Sequence, residues 1–291
     1  MFRARRSVLY MPGANERALE KAKSLEADSL ILDLEDSVAP DAKAEARTKV
    51  AAAVKAGGFG RRELVIRING LDTPWGVEDL KMAAEANPDA ILVPKVARPG
   101  DIVNVSKIHV GMGGAEKTRM WAMMETPMAI FNVREIASVH QVARLSCFVL
   151  GTNDLLKESR ALATGGRFAI LPWLSMTLLA ARAYGLDVID GVYNDFRDEQ
   201  GFRAECEQGR TLGMDGKTLI HPDQVEVTNA CFAPSEAEID LARRQIAALE
   251  EVEKTGQGVA VVDGKIVENL HVETARKILA LAEAVALTQA E

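Results

Sequence analysis

The chain has 291 residues and a formal net charge of −7, with 48% hydrophobic and 26% charged residues. This length and composition suit an ordinary globular protein with one large domain, or one domain with an appendage. The negative charge argues against a nucleic acid or an anionic membrane as the main partner, and no apolar stretch reaches the length of a membrane span. The three cysteines form no CxxC pair, and the apolar run behind the basic N-terminus is too short for a signal peptide. We therefore expect a cytoplasmic protein.

Eight short apolar runs predict β-strands, and a helical pattern separates each strand from the next. The predicted strands are Ser7–Met11, Ser29–Leu34, Leu64–Ile68, Ala90–Pro94, Arg119–Met124, Leu145–Leu150, Val188–Tyr193 and Thr218–Ile220. The predicted helices are Asn15–Glu26, Asp41–Lys55, Pro74–Glu85, a segment near Asp101–Ile108, Ala129–Val142, Leu171–Ala183 and Asp198–Leu212. This alternation is typical of an α/β protein with a (β/α)8 TIM barrel. The alternative is a doubly wound open sheet, but the turn after the first strand lacks the glycine-rich pattern that such a sheet would require.

The pattern changes after the eighth strand. A capping box at Ser235–Glu238 starts a long helix, Val259–Val267 reads as a hairpin with a tight Asp-Gly turn, and Thr274–Leu287 is an amphipathic helix. We therefore predict a barrel over residues 1–232 and a small helix–hairpin–helix extension over residues 233–291. An extension of this size is too small to fold alone, so it should pack on the barrel or on a neighbouring subunit.

Polar side chains recur where successive predicted strands end, from the second strand to the eighth. They are Asp33, Glu35, Asp36, Arg67, Asn69, Lys95, Glu125, Asp154, Asp190 and His221. The carboxyl ends of barrel strands meet on one face, which is where barrel enzymes carry their active sites. An acid-rich site that also holds Arg67 and Lys95 predicts a metal ion and an anionic substrate. Arg67 is the better carboxylate ligand, because its planar guanidinium can bind both oxygens.

Glu125 and Asp154 follow two neighbouring, nearly continuous apolar strands. Two carboxylates that emerge side by side repel each other, and a bound cation removes that repulsion. Mg²⁺ is the natural candidate because it prefers oxygen ligands, and Mn²⁺ is a possible substitute. The alternative is that both residues cap helices, which Pro127 makes plausible for Glu125.

Seven motifs in this order resemble a known family. They are Arg6–Gly13, Leu32–Val38, Arg67–Asn69, Pro94–Lys95, Glu125–Pro127, Gly151–Leu155 and Gly213–Gln224. The chain resembles the citrate lyase beta-subunit-like CoA-ester lyases of the HpcH/HpaI aldolase superfamily, a group that includes malyl-CoA, β-methylmalyl-CoA and citramalyl-CoA lyases. The resemblance covers nearly the whole chain, and it is more specific for the family than for the substrate.

The resemblance implies a (β/α)8 barrel in which Glu125 and Asp154 hold Mg²⁺ and Arg67 binds the carboxylate or carbonyl of the substrate. It also implies that Arg6 lies near the CoA phosphates. In such proteins the C-terminal extension forms a lid, contributes to a neighbour's site and accompanies homotrimers or hexamers. A tail aspartate in a Gly-x-x-x-Asp pattern is implicated in catalysis there, and Glu268 stands at that position here.

The function that this resemblance implies is reversible cleavage of the C–C bond of a 3-hydroxyacyl-CoA such as malyl-CoA. The products would be a 2-oxo acid such as glyoxylate and acetyl- or propionyl-CoA, with Asp33, Glu35 and Glu268 as unranked candidates for proton transfer. One alternative is a thioesterase that hydrolyses (S)-malyl-CoA on the same site, and the change from aspartate to Glu268 favours it. Two others are a citrate lyase beta subunit acting on an acyl-carrier protein and a scaffold without catalytic activity.

Overall fold

Eight parallel strands close into a barrel in the computed structural model, which describes residues 3–256 and 258–289. The strands are β1 (Ser7–Pro12), β2 (Ser29–Asp33), β3 (Glu63–Arg67), β4 (Ala90–Val93), β5 (Arg119–Met124), β6 (Leu145–Leu150), β7 (Asp187–Asp190) and β8 (Gly216–Leu219). Each strand pairs with the next along the chain, and β1 pairs with β8. All eight predicted strands are present, so the predicted (β/α)8 barrel is confirmed.

Helices follow every strand of the barrel. They are α1 (Glu16–Ala22), α2 (Lys43–Ala56), α3 (Gly76–Ala86), α4 (Pro99–Gly111), α5 (Pro127–Phe131), α6 (Val133–Ser138), α7 (His140–Ala143), α8 (Thr152–Ser159), α9 (Leu171–Ala183), α10 (Glu199–Leu212) and α11 (Gln224–Phe232). The predicted helix Ala129–Val142 is divided into α5, α6 and α7, because the backbone leaves helical geometry at Asn132 and Val139. The prediction missed α8 and α11. In α8 the helix starts directly behind Gly151, inside a motif that reads as a loop.

The alternation of side chains along the strands explains which residues face the barrel interior. Successive residues of a strand point to opposite faces, so residues two apart share a face. The buried interior cluster includes Val8 of β1, Ile31 of β2 and Val65 of β3. Tyr10 and Asp33 each lie two residues closer to the carboxyl end of β1 and β2, so they also point inward. Polar side chains at the carboxyl ends of the strands therefore lie next to the apolar residues of the barrel interior.

A second compact unit contains residues 3–4 and 232–289, and the barrel unit spans residues 5–231. In the second unit, α12 (Glu236–Thr255) is followed by the antiparallel pair β9 (Val261–Val262) and β10 (Lys265–Ile266), and then by α13 (Asn269–Gln289). Asp263 and Gly264 both have positive φ, as in the type I′ turn that the Asp-Gly pair predicts. The role of this extension as a lid and in a homotrimer or hexamer stays a prediction.

None of the helices within residues 3–256 and 258–289 combines the length and the apolar character that crossing a membrane requires.

Candidate active site

A cavity of about 310 Å³ lies at the carboxyl ends of the barrel strands. Predicted site residues Asp33, Arg67, Glu125 and Asp154 all line it. The cavity wall also includes Tyr10, which the sequence analysis did not single out. Because strands far apart in sequence end at the same face, the closed barrel brings these side chains together.

Arg67 is held by three carboxylates. Its Nε lies 2.6 Å from Asp33 Oδ1 and its Nη2 lies 2.7 Å from Asp33 Oδ2, so this pair is bidentate. Its Nη1 lies 2.9 Å from Glu35 Oε2 and 3.4 Å from Asp36 Oδ2. The guanidinium also stacks on the ring of Tyr10, 4.9 Å from its centroid. These contacts fix the orientation of Arg67 and leave it little capacity to grip a substrate carboxylate with two N–H groups.

Asp33 is the group that orients Arg67. Burial alone would raise the pKa of Asp33, but the hydrogen bonds and charge of Arg67 outweigh burial and hold that pKa below its ordinary value. The backbone N–H groups of Glu35 and Ser37 donate to the same carboxylate at 2.9 and 3.0 Å. A carboxylate that is ionised this firmly is a poor proton acceptor near neutral pH. Of the predicted proton-transfer residues in the barrel, Glu35 is therefore the better candidate.

Glu35 has the opposite electrostatic environment. Burial is the main cause that raises the pKa of Glu35 to about 7, and the charges of Asp36, Glu125 and Asp33 add to it against the opposing effect of Arg67. Its Oε2 is buried and close to Arg67 but makes no well-directed hydrogen bond. A carboxyl group with this pKa can gain or lose a proton at physiological pH.

Glu125 and Asp154 are both held by Lys95, which has a left-handed backbone conformation with φ 49°. The backbone N–H of Lys95 donates to Glu125 Oε1 at 2.7 Å, and its Nζ donates to Asp154 Oδ1 at 3.1 Å. Gly151 lies against Glu125, because a Cβ added at Gly151 would come within 2.7 Å of Glu125 Oε2. Burial raises the pKa of Glu125. Asp154 lies in the first turn of α8 rather than at the strand end.

The charges around the cavity can be compared with those of a bound metal ion. Among the described residues, no group of three His, Cys, Asp or Glu side chains could hold a metal ion. A metal ion at this cavity would therefore have two carboxylate ligands from the protein, Glu125 and Asp154. Mg²⁺ often takes only one or two carboxylates and completes its shell with water. The carboxylates near the cavity are Asp33, Glu35, Asp36, Glu125 and Asp154, and the cations near them are Lys43, Arg67 and Lys95. When all five carboxylates are ionised, which requires a pH above the Glu35 pKa of about 7, the excess of two negative charges fits one divalent cation.

Arg6 lies elsewhere, which corrects the expectation that it contacts the substrate. It precedes β1, at the amino end of the barrel, and its side chain is bound to Asp28 through Nε at 2.9 Å and Nη2 at 2.8 Å. Only 3% of Arg6 is exposed. A buried guanidinium that already has its own carboxylate, at the end opposite the cavity, is not available to CoA phosphates.

Three other polar residues at strand ends have roles inside the barrel unit. Asp190 is completely buried and accepts hydrogen bonds from Arg167 at 2.7 and 2.8 Å. Asn69 donates to the carbonyl of Leu34 at 2.8 Å. His221 stacks on Phe196 at the rim, with the ring centroids 4.6 Å apart. The first two are structural residues.

Glu268 belongs to the second compact unit. It precedes α13, it is exposed, and its backbone N–H donates to His271 Nδ1 at 3.0 Å. Its predicted part in catalysis stays a prediction.

Residues 6–222 match the family model described as HpcH/HpaI aldolase/citrate lyase. The chain belongs to this family. A protein of Cereibacter sphaeroides (strain KD131 / KCTC 12085) named (3S)-malyl-CoA thioesterase is 55% identical over 285 residues, which cover 98% of this chain and 97% of that relative. The L-malyl-CoA/beta-methylmalyl-CoA lyase of Cereibacter sphaeroides (strain ATCC 17029 / ATH 2.4.9) is 34% identical, with 97% and 95% covered.

A solved structure supports the same relationship. CitE from Mycobacterium tuberculosis, in complex with magnesium, acetoacetate and coenzyme A, superimposes with a TM-score of 0.75 at 25% identity. The match covers 96% of this chain and 98% of CitE. The protein is thus an enzyme of the HpcH/HpaI aldolase/citrate lyase family, and the predicted family is confirmed.

Two residues of this family member escaped the sequence analysis. Tyr10 was predictable, because its spacing from Val8 places it on the inward face of β1. Lys43 was not, since nothing in its local sequence indicates that its Nζ donates to the carbonyls of Leu34 and Glu35 at 2.8 and 2.7 Å.

Replacing Asp33 should lower the pKa of Glu35. The Asp33→Asn variant removes a nearby negative charge and releases Arg67 to pair with Glu35, and both changes favour the ionised form of Glu35. We expect a ¹³C-NMR titration of the glutamate carboxyl groups to give a Glu35 pKa clearly below about 7. Asp28→Asn is the matched control, because it breaks the same kind of bidentate arginine pair at the other end of the barrel. An unchanged Glu35 titration in Asp33→Asn would contradict this account.

Proposed function

We propose that this protein hydrolyses the thioester bond of a malyl-CoA-type substrate, a 3-hydroxyacyl-CoA with a distal carboxylate. The observation that carries this proposal is the 55% identity, over 98% of the chain, to a protein named (3S)-malyl-CoA thioesterase. The related lyase is only 34% identical over a similar length. C–C cleavage is the first function that the family resemblance predicts and hydrolysis is the alternative, but the identities to the relatives favour the reverse order.

The distal carboxylate of the substrate would bind at the start of α8. The first N–H groups of a helix have no acceptor within it, and here the N-cap residue, Gly151, has no side chain to supply one. Thr152, Asn153 and Asp154 provide these N–H groups, and all three residues line the cavity. A helix N-terminus favours an anionic group through its N–H donors and its dipole. This placement suits the substrate better than Arg67, whose N–H groups bind Asp33, Glu35 and Asp36.

Mg²⁺ would be held by Glu125 and Asp154. The supporting observations are the two convergent carboxylates, the close approach that Gly151 allows, and the excess of two negative charges around the cavity. CitE, the solved relative, was crystallised with magnesium. When bound, the ion would neutralise this excess and polarise oxygen atoms of the substrate. Lys95 would keep Glu125 oriented through its backbone N–H.

Glu35 would activate the water molecule. Its carboxylate would accept one proton from water as the water oxygen bonds to the thioester carbonyl carbon. The C–S bond then breaks, and the departing CoA sulfur takes up the proton, so that malate and free CoA are the products. Asp33 is less suited because Arg67 keeps it ionised. Glu268 stays a second candidate for this step.

C–C bond cleavage is the second candidate function. The relative named L-malyl-CoA/beta-methylmalyl-CoA lyase supports it, and the same carboxylates could remove the proton from the substrate hydroxyl. The two reactions give different products from one substrate. Cleavage of malyl-CoA gives glyoxylate and acetyl-CoA, whereas hydrolysis gives malate and free CoA.

The products formed from (3S)-malyl-CoA test the proposal. Purified protein with Mg²⁺ should release malate and free CoA in equal amounts and no glyoxylate. Acetyl-CoA is the control substrate, and it should not be hydrolysed because it lacks both the hydroxyl and the carboxylate. Stoichiometric glyoxylate and acetyl-CoA would replace the proposed hydrolysis with the lyase reaction.

Mg²⁺ should stabilise the wild-type protein against heat, because an ion that binds only the folded state shifts the unfolding equilibrium. At a concentration a hundredfold above Kd the gain is about 2.7 kcal/mol. Glu125→Gln and Asp154→Asn should each lose most of the Mg²⁺-dependent rise in Tm. Asp223→Asn removes the same charge from the rim, where its side chain is 81% exposed, and should keep the rise. A full Mg²⁺ response in Glu125→Gln would rule out the assigned metal site.

The pH dependence of hydrolysis should report Glu35. A general base must be ionised, so kcat/KM should rise with pH through about 7 and then level off. Glu35→Gln should lower kcat by about 10²- to 10⁴-fold and abolish this rise. Asp36→Asn is the control. It removes a charge that raises the Glu35 pKa, so it should keep the rise and move its midpoint to lower pH. A wild-type pH profile in Glu35→Gln would exclude Glu35 as the base.

A further inference from the structure

The hydroxyl of Tyr10 is a hydrogen-bond donor inside the candidate active site. Tyr10 lies on the inward face of β1 and lines the cavity together with Arg67 and Glu125. The Arg67 guanidinium stacks on its ring, 4.9 Å from the centroid, and this contact fixes the ring. Its hydroxyl lies 3.4 Å from the sulfur of Met123. A thioether sulfur is a weak acceptor, so the O–H group keeps most of its capacity to bind a stronger one.

The environment keeps the proton on this hydroxyl. Burial is the main cause that raises the pKa of Tyr10, and the charges of Asp33, Glu125 and Glu35 raise it further, while Arg67 opposes them. A phenol in these surroundings stays neutral at physiological pH, so it serves as a donor and does not release its proton.

Each of the other side-chain donors around the cavity has at least one acceptor within the chain, and the Lys95 ammonium keeps further N–H groups on the β4 side. The pairs are Arg67 with Asp33, Glu35 and Asp36, Ser37 with Asp33, Lys95 with Asp154, Thr218 with the carbonyl of Asp190, and Asn153 with Asn194. The hydroxyl of Thr152 lies at the start of α8, where we place the distal carboxylate of the substrate. On the β1 side of the cavity, Tyr10 is therefore the donor that is best placed for a different part of the substrate.

We propose that the Tyr10 hydroxyl donates a hydrogen bond to the thioester carbonyl oxygen as this oxygen gains negative charge. The inference rests on the proposed function, in which water adds to the carbonyl carbon and the carbonyl electron pair moves to oxygen. When the C–S bond breaks, the electron pair returns and the oxygen becomes part of the product carboxylate. Tyr10 keeps its proton throughout, and Glu35 carries the proton that passes from water to sulfur. Tyr10 would thus act as an oxyanion-stabilising catalytic residue.

The effect of such a donor falls on the transition state. A neutral carbonyl oxygen accepts a weaker hydrogen bond than an oxyanion does, so the contact contributes more as charge develops. Removal of one oxyanion donor lowers kcat by about 10²- to 10³-fold. KM should change little.

The Tyr10→Phe variant tests this assignment because it removes only the hydroxyl and keeps the ring under Arg67. With (3S)-malyl-CoA and Mg²⁺, we expect kcat to fall by about 10²- to 10³-fold while KM stays within about threefold of wild type. The Mg²⁺-dependent rise in Tm should persist, which a loss of site structure would not allow. Tyr184→Phe is the matched control: Tyr184 lies at the end of α9 against His140, and its loss should leave kcat unchanged.

Three results would overturn the assignment: an unchanged kcat, a loss confined to KM, or a simultaneous loss of the Mg²⁺ response. If Tyr10→Phe does not fold, 3-fluorotyrosine is incorporated instead into wild type and into a Tyr184→Phe, Tyr193→Phe double variant, in which Tyr10 is the remaining tyrosine. A more acidic phenol is a stronger donor, so kcat should rise in both proteins, and an unchanged kcat would overturn the assignment. The proposed function has its own test: it fails if the wild-type protein forms glyoxylate. In that case a loss of C–C cleavage in Tyr10→Phe would still support the assignment of Tyr10, because cleavage also places negative charge on the thioester carbonyl oxygen.

Discussion

The site depends on the pairing of one buried guanidinium with more carboxylates than it can neutralise. Burying an arginine without a partner is strongly unfavourable, and Asp33 alone supplies a bidentate partner for Arg67. Glu35 and Asp36 then add negative charge beside a guanidinium that is already neutralised. As a consequence, Asp33 stays ionised, whereas the neighbouring Glu35 can take up a proton. The two pKa values move in opposite directions, and this is the separation of roles that proton transfer requires.

The two ends of the barrel use similar ion pairs for different purposes. At the amino end, Arg6 binds Asp28 and Arg5 binds Glu63 and Asp187. Each cation there has its own acids and lies away from the cavity, which is the expected composition of a stabilising end. At the carboxyl end the acidic residues outnumber the basic ones. This excess of negative charge favours the binding of a metal ion and of a proton. The family resemblance implied that Arg6 lies near the CoA phosphates, and its buried pairing with Asp28 is a contact that residue type alone does not reveal.

Features that depend on local sequence patterns could be predicted from the sequence, and features that depend on contacts outside such patterns could not. Strand positions were predictable because a strand covered on both faces must be a continuous apolar run, which is a local property. The acids at the strand ends followed from the barrel, which fixes where those ends meet. The missed features depend on contacts that no local pattern encodes. Lys43 binds carbonyls of a preceding loop, and α8 begins directly behind Gly151, inside the Gly151–Leu155 motif, where no helix was predicted.

The roles proposed for the barrel residues would suit hydrolysis and C–C cleavage equally well. Both reactions place negative charge on the thioester oxygen, where Tyr10 would act, and both need a base such as Glu35. They differ in one reactant, because hydrolysis requires water at the carbonyl carbon, and a lyase that forms an enolate must keep water away. The property that separates the two functions should therefore lie in what covers the cavity. The barrel residues alone therefore do not distinguish the two reactions, and the preference for hydrolysis rests on the 55% identity to a protein named (3S)-malyl-CoA thioesterase. The catalytic role of Glu268 stays a prediction.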